Sequence, residues 1–169
     1  MNRKTRDILM QILDDMDSFA AMKDLKYPPL YLLGGSGCII AGYLDRATTD
    51  MDLLDMDYTA GIGRLFRILE KYDLLDLYLT TIPEDFKKRA VKIEGYHNIY
   101  VLSREDIILS KVGRYSEKDI EDISIMMADS DKNLLREMIA AVLNRENISP
   151  RIKNAFIQNL SLFRERYDV

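Results

Sequence analysis

The sequence predicts an α/β (α+β) fold, with short strands and helices alternating up to Leu102 and helices alone from Ser103 onward. Three observations carry the prediction. Apolar residues recur at three- and four-residue steps near the N-terminus; brief apolar runs at 30–33, 50–55 and 74–79 are set apart by glycines and turn residues; and serine caps punctuate the apolar stripes of the last third.

Taken in order, Ile8, Leu9, Ile12, Leu13, Met16, Phe19 and Ala20 mark one face of a first helix. Pro28 and Pro29 impose an extended approach to a strand at 30–33. Gly34, Gly35, Ser36 and Gly37 then turn this strand into a helix ending near Gly42, a unit that exposes backbone amides to an anion. The next strand is 50–55. Ile62, Leu65, Phe66 and Leu69 form the face of another helix, and 74–79 reads as a third strand. Segments 91–93 and 99–102 add strands around a turn at Gly95, Tyr96, His97 and Asn98.

In the last third, Ser103 with Asp106 and Ser116 with Asp119 have capping-box spacing, aspartate standing where glutamate or glutamine is usual, and Ser149 precedes a first-turn proline, Pro150. Leu134, Leu135, Met138, Ile139 and Val142 form one stripe, and Ile152, Phe156, Asn159, Leu160 and Phe163 another. With no repeat or long linker, the expected organisation is a core over 1–102, including the N-terminal helix, and a helical extension over 103–169 packed on it.

The 169 residues, 47% hydrophobic, suffice for a real core. A net charge of −4 argues against broad attraction to nucleic acid or to an anionic membrane, and no apolar run is long enough to span a bilayer. The single cysteine, Cys38, lies in an apolar run and reads as core, and a cytoplasmic location is expected. Single His97, with no cysteine pair, gives a structural zinc site no support and reads as an exposed turn residue. Met126, Met127 and Met138 read as core.

The chemistry concentrates where Leu32-Leu33-Gly34-Gly35-Ser36-Gly37 is followed by Arg46-Ala47-Thr48-Thr49-Asp50-Met51-Asp52. On an extended chain Asp50 and Asp52 share one face while Met51 and Leu53 take the other. Two carboxylates so close repel unless a cation sits between them, and a divalent metal carrying a nucleotide's phosphates is the usual solution. Removing them is therefore expected to leave the melting temperature unchanged or raised.

These residues resemble the nucleotidyltransferase superfamily, in its minimal bacterial branch that includes toxin-like members. The signature is a hydrophobic strand, Gly-Gly or Gly-Ser at its end, then Asp-hydrophobic-Asp on the next strand. Gly42, Arg46 and Thr49 extend the pattern, and a second block from Leu102 through Lys111 and Arg114 to Asp119, Glu121 and Asp122 resembles the same branch. The resemblance spans residues 28–125 and implies a small mixed sheet of the nucleotidyltransferase type flanked by helices. It further implies transfer of a nucleoside monophosphate from a nucleoside triphosphate to an acceptor hydroxyl, with magnesium, or manganese in its place. The acceptor stays open among an RNA end, a protein hydroxyl and a small molecule.

On this reading Asp50 and Asp52 hold the metal, and Gly34, Gly35, Ser36, Arg46, Thr49 and Lys111 border the nucleotide. The amides of Gly35 and Ser36 are expected on the β and γ phosphates. A third acid on a neighbouring strand completes the family's metal and catalytic set. Asp76 is preferred to Asp73, because a carboxylate inside the apolar run 74–79 demands a partner. Asp119 and Asp122 share a helix face and are expected to scaffold the cleft through ion pairs with Arg114 or Lys111, with direct contact to the substrate as the alternative. Two rivals stand beside this reading. A dinucleotide-binding fingerprint fails where Ile40 replaces its last glycine. A noncatalytic nucleotide-binding or protein-interaction module would retain the fold without turnover.

Overall fold

The buried residues of the first helix, Leu9, Leu13, Met16 and Ala20, keep the three- and four-residue spacing of a single face along α1 (Arg6–Met22). The computed structural model describes residues 3–169. These form two compact units, residues 3–75 with Ala90–Val101, and Asp76–Arg89 with Leu102–Val169. Residues 76–89 fall in the second of these units.

Among the described residues the first unit is built on a five-stranded mixed sheet in the order β3-β2-β1-β5-β4. The strands are β1 (Leu30–Leu32), β2 (Met51–Asp55), β3 (Tyr72–Asp76), β4 (Val91–Lys92) and β5 (Ile99–Val101). β1 runs antiparallel to β2, with Leu32 opposite Leu53, and parallel to β5, with Tyr31 opposite Tyr100, while β4 and β5 are antiparallel. Helix α2 (Gly34–Ile40) lies against β2 and β5. A Cβ on Gly37 would stand 3.1 Å from the backbone of Leu32 and 3.5 Å from Val101 Cγ1, so a glycine is what lets this helix lie close on the sheet. α3 (Gly63–Phe66) and the 3₁₀ turn Arg67–Leu69 bury Ile62, Leu65, Phe66 and Leu69, the face the sequence marks.

In the second unit, α4 (Arg104–Val112) packs against α5 (Glu117–Met126), α6 (Lys132–Asn144) and α7 (Pro150–Tyr167). Ser103 Oγ accepts the Asp106 amide at 3.1 Å and Ser116 closes a complete capping box with Asp119. Both expected caps form with aspartate because its shorter side chain still reaches back to the cap. Ser149 is the N-cap residue of α7 without a side-chain cap bond, and Pro150 alone supplies the start signal. Arg145, 4% exposed, donates to the carbonyls of Thr80 and Ile82 at 2.7 Å each and of Leu77 at 3.0 Å, fastening the segment after β3 to the end of α6. Asp106 is fully buried and receives Arg89 through two nitrogens, at 3.1 and 2.9 Å. Burial raises its carboxyl above the ordinary range, against the pull of Arg89 and Ser103.

Two elements differ from expectation. The run 74–79 is not one strand: β3 spans Tyr72–Asp76, and Leu77–Leu79 forms a 3₁₀ turn that Asp76 caps by accepting the Tyr78 amide at 2.8 Å. Hydrophobicity cannot distinguish a strand from a strand ending in a capped turn. The glycines after β1 likewise form no separate loop, since α2 begins at Gly34. As expected, Cys38, Met126, Met127 and Met138 are buried and His97 is exposed in a bend.

Candidate active site

β1 and β2 bring the two signature segments together through their pairing. The Leu33 amide donates to the Asp52 carbonyl at 3.1 Å, which sets Asp52 against the first turn of α2. Met51 and Leu53 are each 1% exposed, whereas Asp52 is only partly buried, so the predicted alternation separates apolar from acidic side chains. Asp50 stands in a bend one residue before the strand.

Asp52 is bound to the glycine segment from both sides. Its Oδ2 accepts the Gly35 amide at 2.9 Å and lies 3.5 Å from the Ser36 amide, and its own amide donates to Ser36 Oγ at 2.8 Å. Gly34 has φ +60°, and a Cβ there would fall 2.3 Å from Asp52 Oδ2. Only glycine meets both demands at that position. Ser36 is fully buried and also donates to the Leu33 carbonyl at 3.4 Å. Its hydroxyl joins β2 to the end of β1 and is neither the helix cap, a position Leu33 holds, nor exposed to a ligand.

Asp50 is surrounded by donors. Lys71 Nζ lies 2.6 Å from its Oδ1, a buried oxygen with no regular hydrogen bond besides this ion pair, and Thr49 Oγ1 donates to Oδ2 at 2.7 Å. Lys71 first, then Thr49, hold the carboxyl below the ordinary aspartate range. Lys4 Nζ donates to the Thr49 carbonyl at 2.9 Å, and the backbones of Lys4 and Thr48 form an isolated bridge. Lys71 carries no signal in the sequence, because only the pairing of β2 with β3 ties it to Asp50. Arg46 covers Gly35: a Cβ on Gly35 would meet Thr48 Oγ1 at 3.0 Å and Arg46 Nη2 at 3.1 Å. Arg46 also lines a cavity of about 620 Å³ with Arg6, Asp7, Ile39 and Leu44, which neither Asp50 nor Asp52 reaches.

Gly34, Gly35, Ser36, Arg46, Thr49, Asp50 and Asp52 therefore gather in the first unit. Lys111 lies in the second unit. It is 2% exposed and paired with Asp119 at 3.1 Å and Asp122 at 2.7 Å, and Arg114 adds a further bond to Asp119 at 3.0 Å. The expected ion pairs form, inside the helical unit. Asp76 is exposed, so the burial argument that set it above Asp73 falls away: its carboxylate finds its partner in the Tyr78 amide. Among the described residues no three His, Cys, Asp or Glu side chains group closely enough to hold a metal ion. The expected metal set of Asp50, Asp52 and Asp76 does not form such a group.

The mixed sheet, the flanking helices and the glycine-to-aspartate junction are those of a nucleotidyltransferase fold. The chain belongs to the family described as nucleotidyltransferase of unknown function (DUF6036), whose model matches residues 7–167. No curated protein and no solved structure matches it. No helix among the described residues is long and apolar enough to cross a membrane.

Proposed function

We propose that the protein is a metal-dependent nucleotidyltransferase that moves a nucleoside monophosphate from a nucleoside triphosphate to an acceptor hydroxyl. The observation that carries this reading is the pairing of Asp52 with the glycine turn, with Asp50 two residues away beside Thr49 and Lys71. Two carboxylates suit magnesium, which is commonly held by one or two of them together with substrate phosphates and does not need an all-protein cage. Asp50 and Asp52 would hold it, and when bound it would polarise the α phosphate and offset the charge that develops there.

The chain's own residues have separate tasks. Arg46, over Gly35, supplies positive charge to the phosphates, and Thr49 orients Asp50. The acceptor oxygen forms its bond to the α phosphorus as the bond to the β-phosphate oxygen breaks, and pyrophosphate leaves with that electron pair. The hydroxyl proton passes to a carboxylate on β3, with Asp76 proposed and Asp73 the alternative.

A second reading has its own support. Each acid already has partners within the chain and no three-residue metal group is present among the described residues, as a noncatalytic nucleotide-binding or interaction module would have it. Calorimetry with magnesium and a nucleoside triphosphate tests for the site, and radiolabelled triphosphates incubated with cell extract test for transfer. Magnesium-dependent binding without any labelled product supports the module. Absence of binding overturns the transferase and the nucleotide-binding module, and leaves a protein-interaction module that retains the fold.

A further inference from the structure

Asp50 has a cation on one oxygen and a hydroxyl on the other. Lys71 Nζ lies 2.6 Å from Oδ1 and Thr49 Oγ1 lies 2.7 Å from Oδ2. The lysine is carried on chain fastened beside this acid, since its carbonyl accepts the Met51 amide at 3.2 Å. Its side chain nevertheless remains 58% exposed. Solvent at the lysine end weakens the pair although Asp50 Oδ1 itself is buried, and the long lysine stem can leave without moving the backbone. Asp52 is engaged too, through the Gly35 amide. A metal approaching without nucleotide would therefore have to displace a resident charge and meet its repulsion.

We propose that Lys71 is an exchangeable counter-ion of the site: it neutralises Asp50 until metal and triphosphate arrive together, then passes to the phosphates, tying metal occupancy to nucleotide occupancy. The inference rests on the metal-nucleotide reading of Asp50 and Asp52. Free metal gains less at Asp50 because Lys71 must be displaced without a new partner. A triphosphate supplies that partner, so metal and nucleotide strengthen one another by the same factor.

The test is manganese binding followed by electron paramagnetic resonance, with and without an α,β-methylene nucleoside triphosphate, in the wild type, Lys71→Met and Lys71→Arg. The wild type is expected to bind manganese more tightly when nucleotide is present. Lys71→Met should bind manganese alone about threefold more tightly, the factor of an exposed ion pair, and show correspondingly weaker coupling to nucleotide. Lys71→Arg should keep the coupling. Should Lys71→Met disturb folding by circular dichroism, Lys71→Gln replaces it as the neutral variant. Unchanged or weakened manganese affinity in the neutral variant, with coupling intact, overturns the role of Lys71 and leaves the site reading standing. If the wild type shows no manganese-nucleotide binding that depends on Asp50 and Asp52, the site reading itself falls and the counter-ion role with it.

Discussion

The Asp52 carboxylate accepts the Gly35 amide at 2.9 Å, so the anion lodged in the glycine turn is the protein's own side chain. This relationship changes what the acid does before any ligand arrives. Asp52 holds the start of α2 to β2, and the amide expected on a phosphate is already engaged.

Substitution of Asp52 therefore costs stability. An asparagine in its place keeps an acceptor for the Gly35 amide but loses the charge that strengthens the bond, a loss of about 1 kcal/mol. Asp52→Asn should lower the melting temperature by about 2–4 °C, where repulsion between the two acids had suggested a neutral or stabilising change. It should also abolish magnesium-dependent nucleotide binding. Differential scanning fluorimetry and calorimetry measure the two effects, and a raised melting temperature would show that repulsion dominates after all.

Gly34 and Gly42 offer a matched comparison. Both have positive φ, +60° and +74°, but a Cβ on Gly42 meets nothing within 4 Å while one on Gly34 strikes the Asp52 carboxylate. Each alanine incurs the left-handed backbone penalty of roughly 1–2 kcal/mol. Gly34→Ala should cost a further ~1.5–3 kcal/mol, the worth of hydrogen bonds to a charged group. Equal losses in urea unfolding would mean that Asp52 shifts freely.

Lys111 should behave as a structural cation. Lys111→Met leaves Asp119 and Asp122 buried beside each other without it, at an expected cost of about 3–5 kcal/mol. Converting both aspartates to asparagine in the same chain should recover much of this. A Lys111→Met protein of normal stability with impaired nucleotide binding would return the residue to the cleft.

The same cluster sets a pH dependence. Burial pushes the Asp119 carboxyl up, but Lys111 and Arg114 hold it below the ordinary aspartate range. Its stabilising contribution is thus complete above the unfolded value near 3.9 and is lost as pH falls through the depressed folded value. The stability gap between the wild type and Asp119→Asn should be widest from about pH 5 to 7 and close below about pH 4. A gap unchanged by acid would remove the ion pair as its cause.

The third acid is decided by turnover. An asparagine replacing Asp76 can still accept the Tyr78 amide, so Asp76→Asn should alter stability by less than about 0.5 kcal/mol. If Asp76 is the base, transfer should fall about 10²-fold or more with nucleotide binding retained. A deep loss in Asp73→Asn instead would move the role to the start of β3.

The sequence by itself determined the elements whose signals are local. The face of α1, the aspartate-bearing caps at Ser103 and Ser116, and the alternation that buries Met51 and Leu53 while sparing Asp52 all depend on spacing along one chain. The glycine and Asp-x-Asp segments were equally legible, and with them the family. Tertiary structure alone decided which partners these residues take. Lys71 reaches Asp50 because β3 lies beside β2, Asp52 reaches Gly35 because β1 pairs with β2, and Lys111 turns inward because α4 packs on α5. Periodicity records which face a residue occupies, whereas a charge is satisfied across space, by whichever donor the fold brings within about 3 Å.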